Sequence, residues 1–312
     1  MTRADVLDAA ERIGGLVQRT PLLESEVGGV PIWLKCESLQ TGGAFKLRGA
    51  TNRLLQLSTE ERERGVVAFS SGNHARGVAI AARRLRMRAI IVMPSDAPQV
   101  KLEGTRSEGA EIISYDRRSE SREEIAARIS EKTGATVVPS FDDPAIVAGQ
   151  GTIGLEIVEQ LGRPPKRIVV PCGGGGLASG IALAVPEAQM VVVEPEGWDD
   201  MARSLEGGEI VSVGPDAPET FCDAIMTPRV SPITFGILER AKAKAVAVSD
   251  AEVEDAIRFA WKQHALVVEP GASVGLAALL AGKIAAEEDT VVVLSGGNID
   301  PALHQRITGE AA

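Results

Sequence analysis

Lys46 is the residue whose type and setting most directly indicate covalent chemistry. It opens a helical stretch immediately after a glycine pair, in the run Gly42-Gly43-Ala44-Phe45-Lys46. A lysine amine becomes a base and a nucleophile when burial and a nearby helix N-terminus disfavour its ammonium form. The small and aromatic neighbours distinguish Lys46 from an ordinary surface lysine, so Lys46 is a candidate functional residue.

Three glycine-bearing turns each follow a short apolar run and precede a helical one. They are Ser70-Ser71-Gly72-Asn73-His74, Gly173-Gly174-Gly175-Gly176 and Ser295-Gly296-Gly297-Asn298. In an open parallel sheet, the carboxyl ends of the strands line the ligand crevice. We therefore expect the three turns to meet at one site.

The four consecutive glycines indicate a phosphate-binding loop. A backbone free of side chains at a helix N-terminus offers several N–H groups and the helix dipole to an anion. The same segment also fits the dinucleotide fingerprint loosely, as Gly173-x-Gly175-x-x-Ala178, with Glu194 about 20 residues further on where a ribose-binding acid belongs. Taken alone, the segment leaves both a phosphorylated cofactor and a dinucleotide open.

A third motif, Gly271-Ala272-Ser273-Val274-Gly275, matches the nucleophile elbow of hydrolases, and His304 follows it. The chain that remains after Ser273 is too short for the sheet that carries the rest of a catalytic triad. We therefore interpret Ser273 as a helix N-cap.

Short β-branched runs alternate with alanine-rich helical stretches along the chain, which predicts an α/β fold with parallel-type sheets flanked by helices. A small, mobile domain is expected at 65–143, and a large domain from 1–57 and 144–312. The predicted strands are 66–69, 89–93, 111–114, 136–138, 167–170, 190–194, 245–248 and 290–294. The predicted helices are 73–85, 120–132, 148–161, 250–264 and 273–281.

Composition excludes several classes of protein. A formal net charge of −10 over 312 residues disfavours binding to nucleic acid. The three cysteines are widely spaced, which argues against a disulfide framework and fits a reducing cytoplasm. No apolar run is long enough for a membrane span, so we expect a cytoplasmic protein without membrane partners.

Taken together, the motifs resemble the fold type II family of pyridoxal-phosphate (PLP) enzymes, specifically the group of threonine and serine dehydratases and serine racemases. The likeness rests on Lys46, the three glycine-bearing turns, and the runs Ala148-Gly149-Gln150-Gly151-Thr152-Ile153 and Val268-Glu269-Pro270. It implies a two-lobed, tryptophan synthase β-like fold with the cofactor between the lobes, and a homodimer.

The resemblance assigns roles to individual residues. Lys46 would form the Schiff base with PLP and then act as the Cα base. Phe45 would pack on the cofactor ring, Asn73 would bond its hydroxyl, and Ser295 would face its nitrogen. Further cofactor contacts are implied for Gly173, Gly174, Gly175, Gly176, Leu177 and Glu269. Substrate contacts are implied for Ser70, Ser71, Gly72, Asn73 and His74.

The implied reaction is β-elimination from a β-hydroxy amino acid such as L-threonine or L-serine, which yields a 2-oxo acid and ammonia. Ser71 matches the residue that acts opposite the lysine in racemases, so racemisation stays open, whereas the run Ser140-Phe141-Asp142-Asp143-Pro144 looks like the dehydratase form of its loop. An NAD-dependent oxidoreductase and a non-catalytic binding protein are alternatives from other classes.

The segment from Glu194 to Asp200 resembles the cation site of the racemase-like members of this family. The resemblance implies that Mg²⁺ or Ca²⁺ is held by the carboxylates of Glu194 and Asp200 and by the main-chain carbonyl of Trp198. Oxygen ligands of this kind suit a hard cation. An exposed acidic turn is the alternative.

Overall fold

The computed structural model of the chain describes residues 1–70, 72–97, 99–116 and 118–310, and it confirms the α/β class. The strands are β1 (Leu22–Val27), β2 (Val30–Cys36), β3 (Val66–Phe69), β4 (Ala89–Pro94), β5 (Glu111–Tyr115), β6 (Thr136–Val137), β7 (Arg167–Pro171), β8 (Gln189–Pro195), β9 (Lys244–Val248) and β10 (Thr290–Leu294). All eight predicted strands are present, with ends shifted by at most one residue.

Helices cover both faces of the sheets. They are α1 (Arg3–Ile13), α2 (Lys46–Leu55), α3 (Thr59–Arg64), α4 (Asn73–Arg84), α5 (Gln99–Arg106), α6 (Arg122–Thr133), α7 (Pro144–Leu161), α8 (Gly176–Ala184), α9 (Asp200–Gly207), α10 (Pro232–Arg240), α11 (Asp250–His264), α12 (Pro270–Leu280) and α13 (Pro301–Thr308). No helix in the described part of the chain combines the length and hydropathy that a bilayer crossing requires.

The strands form two sheets. The larger has the order β1-β2-β10-β7-β8-β9 and the smaller β5-β4-β3-β6. Among the named strands of the described residues, the β1–β2 pair alone is antiparallel, and the other pairs are parallel. The four strands of the smaller sheet lie between residues 66 and 137, and the division of the chain into two domains stays a prediction.

Burial on both faces explains why the central strands have continuous apolar sequences. Every residue of β4 and β10 is buried, as expected for parallel strands that helices cover on both faces. The missed strand β1 lies at the edge of the larger sheet, with the missed strand β2 beside it, and the residues of β1 are partly buried or exposed except Val27. The polar residues Glu24, Ser25 and Glu26 interrupt β1, which is the reason that the search for apolar runs did not find it.

The prediction that Ser273 caps a helix was wrong. Helix α12 begins three residues earlier, at Pro270, with Glu269 as its N-cap residue. Ser273 lies in the first turn, fully buried, and its hydroxyl donates to the carbonyl oxygens of Glu269 and Pro270 at 3.1 and 2.9 Å. The proline at the first helical position sets the start of the helix.

Candidate active site

A cavity of about 710 Å³ opens where the strands of both sheets end, a size typical of small-molecule sites. The three glycine-bearing turns meet there, because each follows the carboxyl end of a strand, β3, β7 or β10. The predicted residues from the first part of the chain that line it are Phe45, Lys46, Ser70, Gly72, Asn73 and His74. Those from the second part are the four glycines 173–176, Leu177, Glu269 and Ser295. Ser71 lies outside the described residues.

Lys46 begins helix α2 and presents its amine to this cavity. Its Nζ donates to the main-chain carbonyl of Ser140 at 3.0 Å and lies 5.1 Å from the centre of the Phe45 ring. Burial lowers the pKa of Lys46 to about 8, although the carboxylate of Glu269 opposes this shift. The uncharged form of the amine, which a base and nucleophile require, is therefore much more populated near neutral pH than in an ordinary lysine.

The turn that places Lys46 at the start of helix α2 requires the glycine pair that precedes it. Gly42 and Gly43 have φ values of 81° and 76°, in the left-handed region that favours glycine. A Cβ at Gly43 would lie 2.3 Å from Oδ1 of Asn298. The backbone therefore passes close to the third glycine-bearing turn, which only a residue without a side chain permits.

The tetraglycine forms a main-chain cradle at the N-terminus of helix α8. Gly175 is the N-cap residue, with a φ of 83°. Among the described residues, no group accepts a hydrogen bond from the N–H of Gly173 or Gly174, and the N–H groups of the first helical turn have no intrahelical acceptor. These unpaired donors fit the phosphate of PLP.

Phe141 packs directly on the cradle. A Cβ at Gly174 would lie 2.3 Å from the Phe141 ring, and one at Gly176 would lie 2.9 Å from the Cβ of Phe141. These two glycines are thus needed for close approach rather than for an unusual φ. The sequence analysis treated Phe141 as a marker of loop type and missed this contact.

Asn73 lies at the centre of a hydrogen-bond chain across the cavity. Its Nδ2 donates to Oε1 of Glu269 at 2.5 Å, and its Oδ1 accepts from Nδ2 of Asn298 at 2.8 Å. Asn298 also donates to the carbonyl of Gly42 at 2.8 Å. The amide of Asn73 is therefore held at both ends, with one N–H and one lone pair left for a ligand.

Two further groups have pKa values that burial has shifted. Burial raises the pKa of Glu269 to about 7, while the hydrogen bond from Asn73 opposes the shift. Burial and the positive charge of Lys46 lower the pKa of His74 to about 3. Its Nε2 lies 2.9 Å from the carbonyl of Val138, an acceptor only, so this nitrogen carries the proton and the ring is neutral at pH 7.

Three cationic side chains also line the cavity, and the sequence analysis did not select them. Lys101 pairs with Asp223, and Arg122 pairs with Glu123 at 2.8 Å. The side chain of Arg229 forms no ion pair within the described part of the chain. Nothing in their local sequence distinguishes these residues from other surface cations, because the fold alone turns them toward the cavity.

The two carboxylates predicted as cation ligands are buried and interact. The Glu194 oxygens accept from the N–H groups of Met201 and Ala202 at 3.0 and 2.8 Å. Burial and then the charge of Asp200 raise the pKa of Glu194 to about 8, and burial raises that of Asp200 to about 6. Neither Asp200 oxygen has a hydrogen bond of ordinary geometry within the described residues, although the backbone N–H groups of Asp200 and Val230 oppose the rise in its pKa.

The two buried Asp200 oxygens fit a hard cation, whereas both Glu194 oxygens already accept backbone N–H groups. Because both carboxylates are buried, the alternative of an exposed acidic turn is wrong for them. Trp198 is partly buried, and its indole N–H donates to the carbonyl of Pro218 at 2.9 Å. Among the described residues, no cluster of three or more His, Cys, Asp or Glu side chains could hold a metal, so such a site would need main-chain oxygens. The dinucleotide interpretation required Glu194 to face the ligand cavity, but its carboxylate is buried against helix α9.

Comparisons with known proteins agree with this geometry. Residues 13–296 match the family described as "Pyridoxal-phosphate dependent enzyme". An L-threo-3-hydroxyaspartate ammonia-lyase from Pseudomonas sp is 43% identical, covering 95% of both chains. An L-threonine ammonia-lyase from Thermotoga maritima is 42% identical, over 98% of this chain and 78% of its own. A solved structure of maize serine racemase superposes with a TM-score of 0.92 at 34% identity, over 98% of this chain and 96% of that one.

The chain therefore belongs to the family of pyridoxal-phosphate dependent enzymes. The predictions of a fold type II architecture, of PLP as cofactor and of an enzyme of the lyase type are confirmed. This family accounts for the tetraglycine and removes the support for an NAD-dependent oxidoreductase. The roles of individual site residues remain predictions.

Proposed function

We propose that this enzyme eliminates water from a 3-hydroxy amino acid, with Lys46 as the covalent attachment site of PLP and as the catalytic base. The observation that carries the proposal is the position of the Lys46 amine in the cavity that the tetraglycine and Asn73 also line. The overall change converts L-threonine to 2-oxobutanoate and ammonia, because the enamine that leaves after loss of water is hydrolysed.

When bound, PLP supplies an electron sink that acidifies the Cα proton of the substrate. The N–H groups of Gly173 and Gly174 would bind its phosphate, Phe45 would contact its ring, and Ser295 would face the ring nitrogen. The amine of Lys46 would take the Cα proton, since its lowered pKa makes the uncharged form accessible near neutral pH. Neutral His74 keeps positive charge away from this amine.

The loop from Ser70 to His74 would contact the substrate, since its described residues line the cavity. Ser70 Oγ already accepts the N–H of Gly72 at 3.2 Å, which fixes the turn before helix α4. This loop follows strand β3 of the smaller sheet. We propose that the segment 65–143 forms a mobile lobe whose closure over the substrate excludes water from the cavity.

The attachment site is tested by borohydride reduction of the holoenzyme and mass analysis of its peptides. We expect one pyridoxyl adduct, on Lys46. Lys46→Ala should abolish turnover while PLP still binds without a covalent link, and Lys166→Ala, which removes an exposed lysine, is the matched control. An adduct elsewhere, or normal turnover by Lys46→Ala, would overturn the proposal.

The substrate is proposed to be L-threonine, L-serine or L-threo-3-hydroxyaspartate. The first two follow from the likeness to dehydratases. The third is the substrate named for the Pseudomonas relative, and Lys101, Arg122 and Arg229 offer positive charge for its second carboxylate. Assays of 2-oxo acid formation from each compound, with kcat/KM compared, will rank them. If Arg229→Ala lowered kcat/KM by the same factor for all three compounds, Arg229 would have no role in selecting the acidic substrate.

Serine racemisation is a second candidate, supported by the close superposition on maize serine racemase and by the presence of Ser71 in the sequence. Chiral analysis of the amino acid recovered from an L-serine reaction distinguishes the two reactions. D-Serine formed faster than pyruvate would make racemisation the principal activity.

Three further features are proposed. We infer that Glu194, Asp200 and the Trp198 carbonyl bind Mg²⁺ or Ca²⁺, on the grounds of the two unpaired Asp200 oxygens. We also propose a homodimer, which sedimentation equilibrium would test. A cytoplasmic location agrees with three free cysteines, all buried, and fractionation of cells would test it.

A further inference from the structure

We propose that Arg53 and Asp143 are positioning residues, which hold the carbonyl of Ser140 where it orients the amine of Lys46. The ion pair joins the helix that Lys46 begins to the loop that Lys46 contacts. This inference rests on the proposed role of Lys46, and it adds two residues that neither contact the amine nor line the cavity.

Asp143 has two functions at the start of helix α7. Its Oδ1 caps the helix by accepting from the N–H groups of Ala145 and Ile146 at 2.7 and 3.1 Å. Its Oδ2 accepts from Nε of Arg53 at 2.9 Å, and the two side chains are only 22% and 15% exposed. The reduced contact with water makes this pair stronger than one on the surface.

Close packing of helices α2 and α7 gives the ion pair a rigid frame. A Cβ at Gly149 would lie 2.6 Å from the Cα of Gly49, so the two backbones touch. Asn52 adds a hydrogen bond from its Nδ2 to the carbonyl of Ala145 at 2.6 Å. The N-terminus of α7 is therefore fixed relative to α2, and Arg53 extends the attachment to Asp143.

Ser140 lies three residues before Asp143, so fixing Asp143 relative to helix α2 also restricts the position of the Ser140 carbonyl that Lys46 contacts. An uncharged amine has two N–H bonds and one lone pair. When one N–H donates to the Ser140 carbonyl at 3.0 Å, rotation about the last bond of the side chain is restricted. The lone pair then points within a narrow range of directions. A correctly oriented nucleophile reacts faster than a freely rotating one.

The step that this orientation serves is the attachment of the cofactor aldehyde. The lone pair of Nζ forms a bond to the aldehyde carbon, both amine hydrogens leave with the aldehyde oxygen as water, and a C=N bond remains. No oxidant or reductant is required. A badly oriented amine slows this step without weakening the contacts of the phosphate loop.

The experiment measures two quantities on apoenzyme. The rate of covalent attachment is followed by absorbance after PLP is added, and non-covalent affinity is measured with pyridoxamine 5'-phosphate, which has no aldehyde. The variants are Arg53→Met, which removes the ion pair, and Asp143→Asn, which removes it but keeps a good N-cap residue. Arg19→Met is the matched control, because its ion pair with Glu159, also on α7, is 52% and 67% exposed.

We expect attachment to slow at least about fivefold in Arg53→Met and Asp143→Asn, with affinity for pyridoxamine 5'-phosphate within about twofold of wild type. Arg53→Lys should recover part of the rate, and Arg19→Met should match wild type. An unchanged rate in both variants, or an equal loss of affinity, would overturn the positioning role. A wild-type adduct away from Lys46 would instead overturn the proposed function and this inference together.

Discussion

Asn73 and Glu269 are joined across the cavity by a 2.5 Å hydrogen bond, and they come from different parts of the chain. Asn73 begins helix α4, which follows strand β3 of the smaller sheet, whereas Glu269 precedes helix α12 against the larger sheet. The bond therefore links the two halves of the molecule at the candidate active site. Its strength depends on the protonation of a buried carboxyl.

The first prediction concerns stability and pH. Because burial raises the pKa of Glu269 from 4.5 to about 7, the folded chain keeps a proton that the unfolded chain has released between these values. The free energy of unfolding of the apoenzyme therefore falls as pH rises through this window. Glu269→Gln keeps the acceptor for Asn73 without the charge. We expect it to gain up to about 3 kcal/mol over wild type between pH 5 and 8, measured by urea unfolding.

The comparison with wild type removes contributions common to both proteins, including those of Glu194 and Asp200. A constant difference in unfolding free energy across the pH range would show that Glu269 does not titrate there.

The second prediction concerns the Lys46 amine. Since burial lowers its pKa to about 8, the uncharged fraction rises through that pH. The rate at which apoenzyme binds PLP covalently should increase with pH and reach half its plateau near pH 8, rather than near the usual 10.5 of a lysine. Stopped-flow absorbance at several pH values checks this. A midpoint above 10 would mean that the amine is hydrated in the apoenzyme.

The third prediction tests the contact between Phe141 and the tetraglycine. Gly174→Ala places a methyl group against the ring, and overpacking of this kind costs about 1–3 kcal/mol. We expect PLP to bind at least about fivefold more weakly, by fluorescence titration. The double variant Gly174→Ala/Phe141→Ala should recover part of the affinity, because the obstructing ring is gone. Gly207→Ala, where no atom lies within 4 Å of the added Cβ, is the control.

The fourth prediction concerns a buried ion network behind helix α2. The guanidinium of Arg48 is fully buried and bonds Glu37 and Glu156 at 2.6–3.0 Å. Arg48→Met leaves these carboxylates without their main partner, and we expect a loss of about 3–5 kcal/mol in the free energy of unfolding. Arg48→Met/Glu37→Gln should be less destabilised than Arg48→Met. A loss below 1 kcal/mol would show that the site admits water.

The fifth prediction tests the proposed cation site. Addition of MgCl₂ or CaCl₂ should raise the Tm of wild-type protein, because a ligand that binds only the folded state stabilises it. Asp200→Asn should remove most of this increase, and KCl at matched ionic strength should not reproduce it. An identical increase in wild type and Asp200→Asn would assign the effect to another site.

Much of the fold could be predicted from the sequence because the informative signals are local. The buried strands are continuous apolar runs, and the capping box that begins with Ser249 marks the start of helix α11. The edge strand β1 was missed because its residues are mostly only partly buried and three of them are polar. The start of α12 was misplaced because the Pro270 signal was overlooked in favour of Ser273.

The sequence by itself determined the class of chemistry. Lys46, the tetraglycine and the Asn73 turn each combine a residue type with a local backbone requirement, and both are encoded within a few residues. Only the tertiary structure decided which side chains and carbonyls contact these residues. Ser140 is 94 residues from Lys46 along the chain, and Phe141 is distant from Gly174. Such contacts arise when parallel strands from separate segments end side by side, a geometry that depends on the packing of the whole chain rather than on any one segment.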